Sequence, residues 1–113
     1  MSDLEQAGDG VLAVKSEREG DTVVVSLIGE ADLFTAPTLE DHLRGALASD
    51  AERVIVDLGE LEFIDSISLR VLLKAELAAR EDARRLFFLP GRPQVERVLR
   101  ISGIKAQLRF LER

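Results

Sequence analysis

A strand that passes into a long helix within a few residues constrains this chain more than any other feature. Val54-Ile55-Val56-Asp57-Leu58 reads as a buried-type strand, and Phe63-Ile64-Asp65-Ser66 leads into a helical segment from Ser66 to Ala79. That segment carries Leu69, Leu72 and Leu73 among many apolar residues, and it has neither glycine nor proline. Arg85 to Leu89 then reads as a short strand ended by Pro90-Gly91. A strand, helix, strand succession is a crossover, which favours parallel neighbours joined with right-handed connections.

The same logic runs backwards along the chain. Thr22 to Ile28 is β-branched and nearly continuous, the pattern of a central strand. Val11 to Arg18 alternates weakly, and Glu19-Gly20-Asp21 supplies turn chemistry, so the two segments read as an antiparallel hairpin. Gly29-Glu30-Ala31-Asp32 breaks the strand. Thr35 is a suitable N-cap for a helix to about Ala48, with Pro37 in its first turn and Leu39, Leu43, Ala46 and Leu47 at helical spacing. Beyond the later strand, Pro93 opens a helix that Gly103 stops, and Gln107 to Leu111 reads as a last short strand. The order is ββαβαβαβ, an α/β fold with a mixed sheet packed against helices. Residues 1–10 read as a loose, flexible lead-in, and 11–113 as a single domain.

Composition narrows the chemistry. A chain of 113 residues with 46% hydrophobic content can build one modest core without metals or disulfides. It has no cysteine, which excludes thiolate nucleophiles and is compatible with a reducing cytoplasm. Net charge is −6, from fifteen basic and twenty-one acidic residues, so nothing marks a nucleic-acid partner. The arginines between Arg80 and Arg100 are interrupted by Glu81, Asp82 and Glu96 and read as a solvated surface. No apolar run is long enough to span a bilayer, and the polar start resembles no signal peptide, so a soluble cytoplasmic protein without membrane insertion is expected. The single histidine, His42, falls on the polar side of its helix. Glu60, Glu62 and Asp65 gather in one loop, but neither a catalytic constellation nor a metal-ligand set follows from the spacing. The chain therefore reads as a binding module and not an enzyme, with no metal or cofactor.

Taken alone, Asp65 and Ser66 are good helix-capping residues. Their surroundings suggest more. With Leu69, Leu72 and Leu73 turned to the core, Ser66, Arg70 and Lys74 fall near the outward side of the helix. Phosphate on Ser66 would meet the positive end of the helix dipole and an arginine one turn on, while Asp65 would repel it. It would change surface charge with little disturbance of the core.

These residues resemble the STAS domain family, and within it the single-domain anti-sigma factor antagonists. Gly29-Glu30-Ala31-Asp32 is similar to the family's Gly-Glu-x-Asp, and Ala36-Pro37-x-Leu39 follows it. Val54 to Leu58 with Phe63-Ile64-Asp65-Ser66 matches the most specific signature, and Val98-Leu99-x-Ile101-Ser102-Gly103-Ile104 matches the late helix and its stop. The resemblance spans about Val11 to Phe110 and implies a STAS-like fold. Where the family reads Asp-Ser-Ser/Thr-Gly-Leu-Gly, this chain has Asp65-Ser66-Ile67-Ser68-Leu69-Arg70.

The resemblance implies a partner switch. An anti-sigma factor with ATP-dependent serine kinase activity binds the unphosphorylated antagonist, frees its sigma factor, and is released when the serine is phosphorylated; a serine phosphatase resets the system. Ser66 is the implied acceptor, with Ser68 a lesser candidate. Glu30, Asp32, Asp65, Ser66, Ile67, Ser68 and Arg70 form the expected partner surface, with Ile67 supplying apolar contact and the acids the rim. A monomer is expected. The alternative is a STAS docking subunit of a membrane transport complex of the lipid ABC type, in which Ser66 need not be modified.

Overall fold

The computed structural model describes residues 5–7, 12–83 and 85–112. Strands Glu5–Ala7 (β1), Leu12–Glu19 (β2) and Thr22–Ala31 (β3) are followed by helix Ala36–Ala48 (α1), strand Arg53–Ile64 (β4) and helix Ser66–Glu81 (α2). Strand Arg85–Leu89 (β5), helix Pro93–Ser102 (α3) and a 3-10 turn at Lys105–Gln107 complete the order. One mixed sheet runs β1-β2-β3-β4-β5. The first three strands pair antiparallel, and β3, β4 and β5 pair in parallel through the two crossover helices.

The register explains the core. Val23, Val54 and Leu86 form one row across the parallel strands, and Val25, Val56 and Phe88 the next. All six are buried. Leu39 and Leu43 of α1 and Leu69 and Leu72 of α2 join the same cluster, and the two helices pack side by side. The alternate row, Val24, Ile55 and Phe87, is only half-buried. The period-2 pattern has thus been sorted into a helix-covered face and a more open one.

Three expectations are corrected. Residues Glu5–Ala7, inside the expected flexible lead-in, add a short edge strand paired with β2. The expected strand Gln107–Leu111 is replaced by the 3-10 turn and one parallel bridge, Phe88 to Phe110. There the Phe88 N–H donates to the Arg109 carbonyl and the Leu111 N–H to the Phe88 carbonyl. Two bonds satisfy part of the β5 edge without a full ladder.

The third correction matters most. β4 continues to Ile64 instead of stopping near Leu58, because its register against β3 slips twice. Asp57 faces Ser26 but Glu60 faces Ile28; Leu61 faces Gly29 but Phe63 faces Glu30. Each slip adds one residue to β4, which has 12 residues against 10 in β3. Leu58, Leu61 and Ile64 lie three apart, yet all three reach the core. An unbroken pleat would have sent Leu61 to the other face.

Gly91, at the corner between β5 and α3, sits so close to β4 that an added Cβ would lie 2.9 Å from the Leu58 carbonyl oxygen and 3.2 Å from the Leu58 Cβ. Its N–H donates to the Glu96 carboxylate at 2.9 Å. Gly91→Ala is expected to destabilise the fold by about 1–3 kcal/mol through overpacking. The check is a lower urea midpoint at unchanged slope; an unaltered midpoint would show that the corner yields freely.

Candidate functional site

The two acidic motifs meet at the C-terminal ends of β3 and β4, the end of a parallel pair where α/β folds concentrate their sites. Gly29 makes the meeting possible. Its φ of 102° is open to glycine and strained for other residues, and it lies where β3 slips against β4. The Asp65 N–H donates to the Ala31 carbonyl at 3.1 Å, which fixes the start of α2 beside the loop leading to α1.

Each acid is occupied differently. Asp32 Oδ1 accepts from the Phe34 N–H at 2.9 Å and the Thr35 N–H at 3.1 Å, so Asp32 closes the turn into α1. Thr35 holds the N-cap position, but its side chain makes no cap bond; its Oγ1 instead accepts from the Asp32 N–H at 2.8 Å. Asp65 is the N-cap of α2 in extended conformation, its Oδ1 accepting from the Ser68 N–H at 2.9 Å. Both carboxylates are half-buried and build the loops. Glu30 is exposed at the rim.

The hydroxyls separate sharply. Ser66, the first residue of α2, is exposed. Ser68 is fully buried, with its Oγ donating to the Asp32 carbonyl at 3.4 Å. The lesser acceptor candidate is therefore corrected: Ser68 ties the two loops together and offers no accessible hydroxyl or partner contact. Ile67 is half-buried and packs partly against the core.

At this end of the sheet the exposed apolar side chains are ones to which sequence reasoning gave no contact role; Ile101 and Leu77 are exposed elsewhere. Phe34 is 79% exposed, Leu33 59% and Phe63 48%. Leu33 and Phe34 project from the β3–α1 loop, and Phe63 lies opposite Glu30 at the end of β4. A signal was present: Leu33-Phe34 is an apolar pair in a turn, outside either neighbouring periodicity.

The outward face of α2 adds charge. Arg70 is exposed one turn from Ser66. Lys74 reaches across to α1, where its Nζ donates to Glu40 Oε2 at 2.8 Å, with Arg44 Nη2 3.3 Å from the same oxygen. The hydrogen bond from the Lys74 ammonium is the chief cause holding the Glu40 carboxyl below its ordinary value. His42 bonds within its own helix, Nδ1 to the Thr38 carbonyl at 2.9 Å. Among the described residues, no group of three or more histidine and carboxylate side chains is placed to hold a metal, and no helix is long and apolar enough to cross a membrane.

Comparison with known proteins gives this geometry a context. The sequence matches the family described as "Mlab, STAS domain" over residues 14–112. It is 32% identical over 66 residues to the anti-sigma-F factor antagonist RsfB of Mycobacterium tuberculosis, covering 58% of this chain and 53% of RsfB. The chain thus spans about half the length of that curated relative. It is 32% identical over 81 residues to the putative anti-sigma factor antagonist BtrV of Bordetella bronchiseptica, covering 72% of this chain and 70% of BtrV. The Bacillus protein SpoIIAA shares the fold. Its unphosphorylated form superposes with a TM-score of 0.74 at 23% identity over 89% of this chain and 88% of that one. Its phosphorylated form does so at 0.68 and 22%, over 89% and 91%. By the match that runs from the second strand to the C-terminal segment, the chain belongs to the STAS domain family.

Proposed function

We propose that this STAS domain is an anti-sigma factor antagonist, a binding module that acts in the cytoplasm and is switched at Ser66. The observation that carries the reading is the exposed Ser66 at the start of α2, at the same end of the sheet as exposed Leu33, Phe34 and Phe63. Relatives named as antagonists support it. The unphosphorylated domain binds an anti-sigma factor that is also a serine kinase. The γ-phosphoryl group of ATP passes to Ser66 Oγ as its bond to ADP breaks, and the hydroxyl proton leaves to a base on the kinase. A serine phosphatase restores the hydroxyl.

Affinity on this reading comes from the apolar side chains, with Glu30 at the rim. Phosphate brings about two negative charges to a surface that already carries Glu30, Asp32 and Asp65. It opposes any acidic edge on the partner and speeds release.

A pull-down with the protein as bait, with and without ATP, tests this together with phosphosite mapping. Capture of a kinase-fold anti-sigma factor, lost as phosphate accumulates on Ser66, is the expected result. Ser66→Ala should stay bound in ATP and Ser66→Asp should bind several-fold more weakly. Equal binding by both variants, or capture of permease and ATPase subunits with Ser66 unmodified, would overturn the proposal in favour of a transport docking role.

A further inference from the structure

Arg70 stands where the sequence signature of this site otherwise has glycine, and the structure leaves it available. It is exposed on α2, four residues after Ser66, which places the two Cβ atoms roughly 5–6 Å apart on one face. The other cations of the helix are committed: Lys74 to Glu40, and Arg80 to Glu76. Among the described residues Arg70 makes no ion pair.

We infer that Arg70 is a phosphate clamp for Ser66, so that phosphorylation changes the docking face twice, by adding an anion and by drawing a cation onto it. This rests on Ser66 being the modified residue. The guanidinium offers paired N–H donors to phosphate oxygens in a geometry that a lysine cannot match. The clamp works against a defined background. Asp65 precedes the phosphate, Glu62 lies at the end of β4, and Glu30 and Asp32 come from β3 and its loop. All four carboxylates oppose a dianion, while the first-turn N–H groups of α2 favour it. Arg70 is the cation of α2 within one turn of Ser66. In the unphosphorylated state it projects freely beside Ser66; in the phosphorylated state it folds back over the helix start.

The test uses the full chain with phosphoserine installed at position 66 during synthesis, which separates it from the kinase question. Titration of the phosphorus NMR signal reads the second ionisation of the phosphate. Relative to the unaltered sequence, Arg70→Gln should lower that acid dissociation constant roughly 1.5- to 2-fold, the size of a favourable i,i+4 charge pair. Arg70→Lys should restore part of the difference, and raised salt should shrink it. The unphosphorylated variants should melt at the same temperature, since Arg70 is exposed. Superimposable titrations for the unaltered protein and the Arg70→Gln variant would overturn the clamp. Failure of the kinase to modify Ser66 would instead remove the proposed function and leave this measurement standing.

Discussion

Replacing Arg80 and Arg109 together by methionine should lower the stability of the domain by about 3–5 kcal/mol. The reason is Glu76, whose side chain is fully buried in α2. Its Oε2 accepts from Arg80 Nε at 2.7 Å and from Arg109 Nε at 3.1 Å. Arg80 Nη2 also donates to the Gln107 carbonyl at 2.9 Å. One buried carboxylate thus ties the C-terminal segment to the helix. Methionine keeps much of the apolar stem of each arginine and removes both cations that face the buried Glu76 carboxyl group. The cost should be asymmetric. Glu76→Gln removes the buried charge and leaves two arginines that are already partly exposed, so it should cost less. Adding Glu76→Leu to the double methionine variant should recover a large part of the loss, since an apolar replacement of a whole buried ionic group is tolerated well. Urea denaturation of the four proteins decides the matter. A double variant losing less than about 1 kcal/mol, the range of surface pairs, would show that water compensates Glu76.

Phe34→Ala should weaken binding of the proposed anti-sigma factor partner at least about ten-fold, the scale of an aromatic hot spot. Stability should change by no more than about 0.5 kcal/mol, as for surface residues. The two measurements must diverge for the patch to be a docking surface. Phe34 is the most exposed large apolar side chain of the three near Ser66, so its truncation removes little from the core. Titration calorimetry with the purified partner and urea unfolding of the variant provide the pair of numbers. Unchanged affinity would move the contact surface away from the β3–α1 loop. Parallel loss of affinity and stability would make Phe34 a structural residue.

The expected and observed outlines of the site agree at the start of α2 and differ in the residues before it, where Glu60 and Glu62 lie in β4 and not in a loop. Asp65 is legible as a cap because an acid before a helical apolar pattern satisfies first-turn N–H groups wherever it occurs. Gly103 is legible for a similar reason: it ends α3 in the left-handed conformation that glycine accepts most readily. Ser66 is legible as outward-facing from helical spacing alone. Ser68, two positions on, is not legible as buried, because its Oγ bonds to the Asp32 carbonyl 36 residues away. Glu76 reads as an ordinary polar residue of a helix, since its partner Arg109 lies 33 residues later in a segment expected to be a strand.

The central succession of strands and helices, the crossovers, the Asp65 and Gly103 caps and the place of the signature serine were written into the amino-acid order. Each depends on local periodicity or on the chemistry of a few adjacent residues. How far β4 extends, which hydroxyl is accessible and which apolar residues stay outside were settled by the packed fold. A register slip resets the period of two that sequence reading relies on, and burial is conferred by distant segments. Leu61 is in the core because two strands pair out of step. Phe34 is in solvent because Asp32 draws the loop into a turn that leaves it there.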